Sequence, residues 1–251
     1  MQLSLLNLDL KNTQLKRRVR RSSPEAVQQF AEDLRLSWVF HDHALEGVVL
    51  SEVDLRNGVA NEVGKDFCEQ VMLDGIHRLY DAIGEVRSSA TSHRRLDLNS
   101  FKQMHVLCAS ATDPNAGHYR KQEGPLGSYL QEAASAKTIS YRLRKLVEFI
   151  DEEADEYHPI QAAAHVHWHY MSIFPFDKLS GRAGRLAMNL TLQAAGYPPA
   201  IIPASARADY FEALCSDSPA KLMGLMVEAL ETAIDEGMRT LVREQKTAEA
   251  A

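Results

Sequence analysis

Residues 165–199 read HVHWHYMSIFPFDKLSGRAGRLAMNLTLQAAGYPP and carry the most informative pattern in the chain. The pattern predicts a buried helix, a tight loop over 174–180 and a second helix that begins at Gly181. A helix N-terminus offers unpaired backbone N–H groups and the positive end of the helix dipole, so it favours an anion. Arg182 and Arg185 lie three residues apart on one helical face and can reach the same phosphate or carboxylate. An alternative stays open, in which both arginines form structural salt bridges.

The rest of the chain carries mainly apolar residues at helical spacing. Ser23 and Pro24, a cap followed by a proline, mark the beginning of one helix. The predicted helices cover residues 23–40, 50–57, 63–86, 98–110, 140–153, 159–173, 181–195, 206–216 and 219–244. Two short strands are predicted at 2–8 and within 117–130, where glycine, proline and tyrosine interrupt the pattern. The expected fold class is all-α with a small β-hairpin.

The composition is typical of a soluble globular protein. Of the 251 residues, 45% are hydrophobic and 25% are charged, and the formal net charge is −6. This length suits one helical domain with an N-terminal extension. The sequence has no run of about 20 uncharged apolar residues, as a membrane helix requires, and no signal-peptide pattern. We therefore expect a cytoplasmic protein that makes no membrane contact.

One basic run interrupts this acidic background, at Lys16, Arg17, Arg18, Arg20 and Arg21. Such a run is typical of a solvated arm, but it also suits contact with an acidic partner. A DNA-associated role would rest on this run alone. Because the net charge of the chain is negative, we expect no broad binding of nucleic acid.

The segment from Phe174 to Arg185 resembles the Fic motif, usually written HPFxDGNGRxxR, position by position. Its flanks are similar to the family's as well, at His167 before the loop and at 189–199 after it. Upstream, Gly117-His118-Tyr119-Arg120 resembles the family's GxYR element. The resemblance extends over about 37–216 and implies a Fido-type helical domain with a hairpin flap. In that family the activity is transfer of AMP to a protein hydroxyl.

The motif departs from the family's pattern at four positions. Phe174 stands where the family has the histidine that acts as general base, and it cannot accept a proton. Lys178 replaces the acid that holds magnesium on the nucleotide phosphates, and an ammonium cannot ligate magnesium. Leu179 and Ser180 replace glycine and asparagine of the phosphate-binding loop. Loss of a general base alone typically lowers the rate by about 10²–10⁴.

The sequence Ala44-Leu45-Glu46-Gly47 resembles the core of the family's inhibitory helix. The resemblance implies that Glu46 pairs with the second motif arginine, Arg185, and blocks productive nucleotide binding. Asp42 stands four residues earlier, where the family usually has serine or threonine.

Three histidines, His165, His167 and His169, alternate on the helix before the loop. We expect them to lie on different faces, which argues against a shared metal site, because such a site favours i, i+4 spacing. We expect His167 to be a core residue that supports the loop. Phe176 is expected to anchor the core and Gly184 to allow close helix packing.

Taken together, these features predict a catalytically degenerate Fic-domain protein that acts as a regulatory or binding module. The alternative is an active, non-standard transferase that moves AMP or another phosphate-containing group onto a protein hydroxyl. No catalytic residue and no metal ligand is assigned, and the expected ligand is ATP, another nucleotide or another anion, without magnesium. The expected anion-binding residues are Lys178, Ser180, Gly181, Arg182 and Arg185, with Glu46 inhibitory. A protein partner and a homodimer are both compatible with the sequence.

The expected domain organisation has three parts. Residues 1–60 form an N-terminal arm and a helical segment that carries Glu46, residues 61–242 form the Fic domain, and residues 243–251 form a disordered tail. The tail is rich in lysine, glutamine, glutamate and alanine and lacks a helix cap.

Overall fold

A computed structural model describes residues 2–92, 95–123 and 133–250, with only the backbone of 243–250. These residues form ten α-helices and no strand, which confirms the all-α class. The helices are α1 (Gln2–Val19), α2 (Pro24–Leu45), α3 (Glu52–Val59), α4 (Phe67–Thr91), α5 (Leu98–Cys108), α6 (Ile139–Glu152), α7 (Pro159–Ile173), α8 (Ser180–Ala194), α9 (Arg207–Leu214) and α10 (Ala220–Ala250). No helix of the described residues is long and apolar enough to cross a membrane.

Helix α2 begins as predicted but continues further. The Ser23 hydroxyl accepts a hydrogen bond from the Ala26 N–H, and Pro24 occupies the first turn. The predicted end at Phe40 is wrong, because buried Val39 and Leu45 continue the core-facing stripe to the end of the helix. The additional turn carries Asp42 and places it within the helix.

The predicted strand at 2–8 is wrong, since these residues belong to α1. Leu5, Leu8, Asn12 and Leu15 are buried on one face of α1, which packs against α10. Their spacing is helical, although the leucines at alternate positions also match a strand. Of the second predicted strand segment, residues 117–123 have no regular secondary structure, and 124–130 lie outside the described residues. Helix α10 includes 243–250, the segment for which the sequence predicts disorder.

Helices α7 and α8 form the centre of the fold. All residues from 180 to 190 in α8 are buried, and this helix packs against α4, α5 and α7. At Gly184 the two central helices approach closely, because an added Cβ would lie 2.8 Å from Cδ1 of Tyr170 and 3.1 Å from Nδ1 of His167. The packing role predicted for Gly184 is confirmed.

Candidate anion site at the N-terminus of helix α8

The loop between α7 and α8 begins at Phe174, which has left-handed backbone angles (φ 47°) and ends α7. Its N–H donates to the Tyr170 carbonyl at 2.9 Å, and its side chain is buried in the core. Leu179, the residue before α8, is also left-handed (φ 59°). Neither side chain offers a polar atom, so the two ends of this loop are shaped by apolar packing despite backbone angles that favour glycine.

Hydrogen bonds inside the loop use the Ser180 hydroxyl. This hydroxyl accepts from the Phe176 N–H at 2.9 Å and donates to the Phe176 carbonyl at 3.0 Å. Phe176 and Ser180 are fully buried, which confirms Phe176 as a core anchor. Lys178, by contrast, is exposed on the loop surface. The structure therefore separates two of the residues that the sequence groups into an anion site.

Two upstream side chains support the loop from outside. Arg120 donates from Nε to the Phe174 carbonyl at 2.8 Å, and its backbone N–H donates to the Pro175 carbonyl at 2.9 Å. His105 accepts the Gly117 N–H on Nδ1 at 2.9 Å, so its Nε2–H donates to the Lys178 carbonyl at 3.1 Å. Burial lowers the pKa of His105, which favours this neutral form. The sequence did not predict either supporting role.

The two motif arginines are held by carboxylates from the last turns of α2. Asp42 accepts the Nε–H of Arg182 at 3.0 Å and the Nε–H of Arg185 at 2.6 Å, one on each carboxylate oxygen. Glu46 accepts from Nη2 of Arg185 at 2.5 Å, so the contact implied by the resemblance is present. We call Asp42, Glu46, Arg182 and Arg185 the carboxylate–arginine cluster. Its formal charges sum to zero.

Burial makes this cluster sensitive to the loss of any one charge. The Asp42 side chain is 1% exposed and that of Arg185 is 3% exposed, whereas Glu46 is 27% exposed. Burial alone would raise the pKa of Asp42, but Arg185 and Arg182 outweigh it and hold that pKa below its ordinary value. Burial alone would lower the pKa of Arg185, but Asp42, Tyr210 and Glu46 together outweigh it and raise that pKa. Both groups are therefore charged, and each depends on its partner.

The Glu46 carboxylate lies directly beside the first turn of α8. A Cβ added at Gly181 would lie 2.6 Å from Oε1 of Glu46 and 3.0 Å from Nη1 of Arg185. This is the place where the sequence predicts an external anion, at the positive end of the helix dipole. In the structure an internal carboxylate takes that place, and glycine provides the space for it.

Behind Arg185, a buried pair of side chains continues the network. Nη1 of Arg185 donates to the Tyr210 hydroxyl at 3.3 Å, and this hydroxyl lies 2.9 Å from Nε2 of His167. Burial lowers the pKa of His167 to about 3 and raises that of Tyr210 to about 12, so both are neutral. The core role predicted for His167 is confirmed. The sequence gives no signal for Tyr210, because it lies 25 residues after Arg185 and no helical periodicity relates the two positions.

The prediction for the other two histidines of α7 is wrong. His165 and His169 lie on the same face, with their Nε2 atoms 3.0 Å apart, because they are four residues apart along the helix. Burial and the neighbouring His165 lower the pKa of His169 to about 4. In the described part of the chain, no group of three or more histidine, cysteine, aspartate or glutamate residues is arranged to hold a metal ion.

The loop and most of helix α8 lie in a part of the chain that matches a known protein family. The model of the Fic/DOC family matches residues 95–192, which include the loop and residues 180–192 of α8. Residues 95–192 therefore belong to a Fic/DOC domain. The carboxylate–arginine cluster joins motif residues on α8 to Asp42 and Glu46, which precede the matched region.

Individual relatives agree with that assignment. The chain is 26% identical over 197 residues to protein adenylyltransferase fic-1 of Caenorhabditis elegans and 28% identical over 200 residues to that of Caenorhabditis briggsae. These matches cover 75% of the chain but only 38% of each relative. A crystal structure of a Fic domain containing signaling protein from Bacteroides thetaiotaomicron has a TM-score of 0.77 at 18% identity, covering 94% of this chain and 97% of that one. This similarity shows that the fold is shared.

Proposed function

We propose that this Fic domain is catalytically degenerate and acts as a regulatory or binding module whose anion site is closed by its own carboxylates. The carboxylate–arginine cluster is the observation that carries the proposal. Arg182 and Arg185, which would otherwise face a phosphate, already bind Asp42 and Glu46. An incoming anion must therefore displace Glu46 before it can lie beside Gly181 and bind Nη2 of Arg185.

The histidines that the structure places near the loop support the degenerate part of the proposal. Phe174 cannot accept a proton, and the buried histidines near the loop are poor replacements for one. Burial lowers the pKa of His43 to about 4 and that of His167 to about 3, far from the neutral values that favour general-base catalysis. Both ring nitrogens of His105 are engaged in hydrogen bonds.

The loop also does not fit a magnesium ion on a bound nucleotide. Lys178 carries an ammonium where the resemblance implies the acidic ligand, and ammonium groups do not coordinate magnesium. The exposed Lys178 can still attract a phosphate as a point charge. Any nucleotide bound here would be held by cationic side chains and by backbone N–H groups of the first turn of α8.

The regulatory part of the proposal follows from the uneven burial of the two acids. Asp42 is almost fully buried and bonded to both arginines, so it stays in place, whereas Glu46 is partly exposed and bonded to Arg185 alone. Glu46 lies at the end of α2, and Val48 and Val49 after it are exposed. A partner that binds this segment would draw Glu46 away from Gly181 and open the anion site.

Incubation of the purified chain with ATP labelled on its α-phosphate tests the catalytic part, with a cell lysate as a source of acceptor proteins. We expect no covalent label on any protein, with or without magnesium. Label that forms on protein and disappears in Arg182→Ala would overturn the proposal and establish the active transferase. Because Arg182 is buried, Arg182→Lys serves as a second variant that keeps the charge.

A further inference from the structure

A cavity of about 720 Å³ lies between α1, α2, α4 and the segment that follows α8. None of the four residues of the carboxylate–arginine cluster lines it. Its volume falls in the range of about 300–1,000 Å³ that is typical of small-molecule sites. The cavity is therefore a separate candidate binding site, and nothing in the proposed function uses it.

The floor of this cavity is apolar. Leu15, Phe30, Trp38 and Ile83 line it, and each is less than a tenth exposed. The amide of Asn12, a buried polar group on this floor, donates to the Gly196 carbonyl at 3.1 Å. A ligand with many hydrogen-bonding atoms, such as a nucleobase, would lose its hydration here with little compensation. An aliphatic chain forms no hydrogen bonds with water and would therefore lose none on this floor.

The rim of the cavity is basic, in contrast to the net charge of −6 of the whole chain. Lys16 and Arg20, four residues apart in the basic run, contribute two cations, and Arg35 and Arg87 contribute two more. The acid on the rim, Glu32, accepts a hydrogen bond from the Tyr80 hydroxyl at 2.7 Å. The rim thus has four cationic side chains and one carboxylate.

Among the residues that the structure describes, three of these cations have no carboxylate partner. Arg35 is 3.5 Å from Asp81 and donates to the Tyr80 carbonyl at 2.7 Å. No carboxylate of the described residues lies within 4.0 Å of the charged nitrogens of Lys16, Arg20 or Arg87. Lys16 instead lies 5.8 Å from the centre of the Tyr197 ring. The cavity therefore presents uncompensated positive charge at the edge of an apolar floor.

We propose that this cavity binds an amphipathic carboxylate with an aliphatic body, the class to which medium-chain fatty acids belong. Its head would lie between Lys16, Arg20 and Arg87, and its chain would cover Phe30 and Trp38. Such a ligand matches both halves of the site, since the apolar floor gains from burial and the charged head remains near water at the rim. A compact inorganic anion would leave the floor uncovered.

Calorimetric titration of the full chain with sodium decanoate, below its micelle concentration, tests this inference. We expect saturable binding of one decanoate, weaker binding as the acid is shortened to butyrate, and at least tenfold weaker binding of decanol. The double variant Lys16→Gln, Arg20→Gln should weaken decanoate binding at least tenfold. The matched control is Arg17→Gln, Arg21→Gln, which removes the same charge from exposed positions of the run outside the cavity lining and should change the Kd less than twofold.

Three results would overturn the inference. These are no heat of binding with decanoate, equal binding of decanol, or equal weakening in the two double variants, which would mean a general charge effect. The melting temperature of each variant checks folding, and all four substituted side chains are at least partly exposed.

Discussion

Cationic side chains near the two ends of helix α8 differ in burial and in pairing. At its N-terminus, Arg182 and Arg185 are buried, and each is bonded to an internal carboxylate. Beyond its C-terminus, Lys16 and Arg20 line an open cavity with no carboxylate partner among the described residues. A buried cation must be paired, because its desolvation is otherwise too unfavourable, whereas a cation at the surface keeps its water. The first site can bind an anion only by exchange, and the second can bind one directly.

The largest effect is expected from Asp42→Asn, which would break the buried half of this comparison. The neutral amide leaves two buried guanidinium groups with Glu46 as their remaining carboxylate. We expect the free energy of unfolding, measured by urea denaturation, to fall by about 3–5 kcal/mol. The matched control is Asp33→Asn, an exposed acid on the same helix, which should change it by less than about 0.5 kcal/mol. Equal effects of both substitutions would mean that the cluster adds no stability.

The next largest effect is a loss of stability at acidic pH. The folded-state pKa values of buried His43 and His167, about 4 and about 3, lie below the ordinary value of about 6.5. Between these values the unfolded chain binds protons that the folded chain does not, so stability decreases as pH falls below about 6.5. Each histidine contributes a slope of about 1.4 kcal/mol per pH unit there.

The measurement is the free energy of unfolding at several pH values from 8 to 5. His43→Gln should lower the slope of the free energy of unfolding against pH by about 1.4 kcal/mol per pH unit, the contribution of one proton. The exposed control His118→Gln should leave this slope unchanged. A flat profile in the unmodified protein would show that these histidines are accessible to protons in the folded state. Asp42 acts at lower pH in the same direction, because its folded pKa is depressed.

A smaller effect is expected from Glu46→Gln, because Glu46 is partly exposed and bonds to Arg185 alone. Its loss should lower the free energy of unfolding by about 1 kcal/mol, well below the effect of Asp42→Asn. Urea denaturation of both variants at pH 7 gives the comparison. A larger loss for Glu46→Gln would reverse the ranking of the two acids on which the regulatory proposal depends.

The smallest effect on stability is expected from Gly181→Ala. The new methyl group would collide with the Glu46 carboxylate, which is the far end of a flexible side chain and can move away. The substitution should therefore disturb the same contact as Glu46→Gln with a smaller loss of stability, and the two effects should not add in the double variant. Additive effects in this double-mutant cycle would show that Glu46 does not lie beside Gly181.

Much of the fold was predictable, because helical periodicity and caps such as Ser23 are local properties of the sequence. Helix α1 was not, since its leucines fit both a strand and a helix, and packing against α10 decides between them. At the site, the contact of Glu46 with Arg185 followed from the resemblance. For Asp42, the resemblance indicates only a departure from the family's pattern. Asp42 and Glu46 lie four residues apart and Arg182 and Arg185 lie three apart, so each pair lies on one helical face. These spacings predict ion pairs between the two faces only when the two helices are known to be in contact.

The central claim, that Glu46 closes the anion site at α8, is tested most directly by calorimetric titration with ATP in EDTA. We compare the unmodified chain with Glu46→Gln and with Glu228→Gln, an exposed acid on α10 that serves as the charge-matched control. The account predicts at least tenfold tighter ATP binding by Glu46→Gln, equivalent to about 1.4 kcal/mol, with the same Kd when magnesium is added. Equal ATP binding by all three proteins would contradict it.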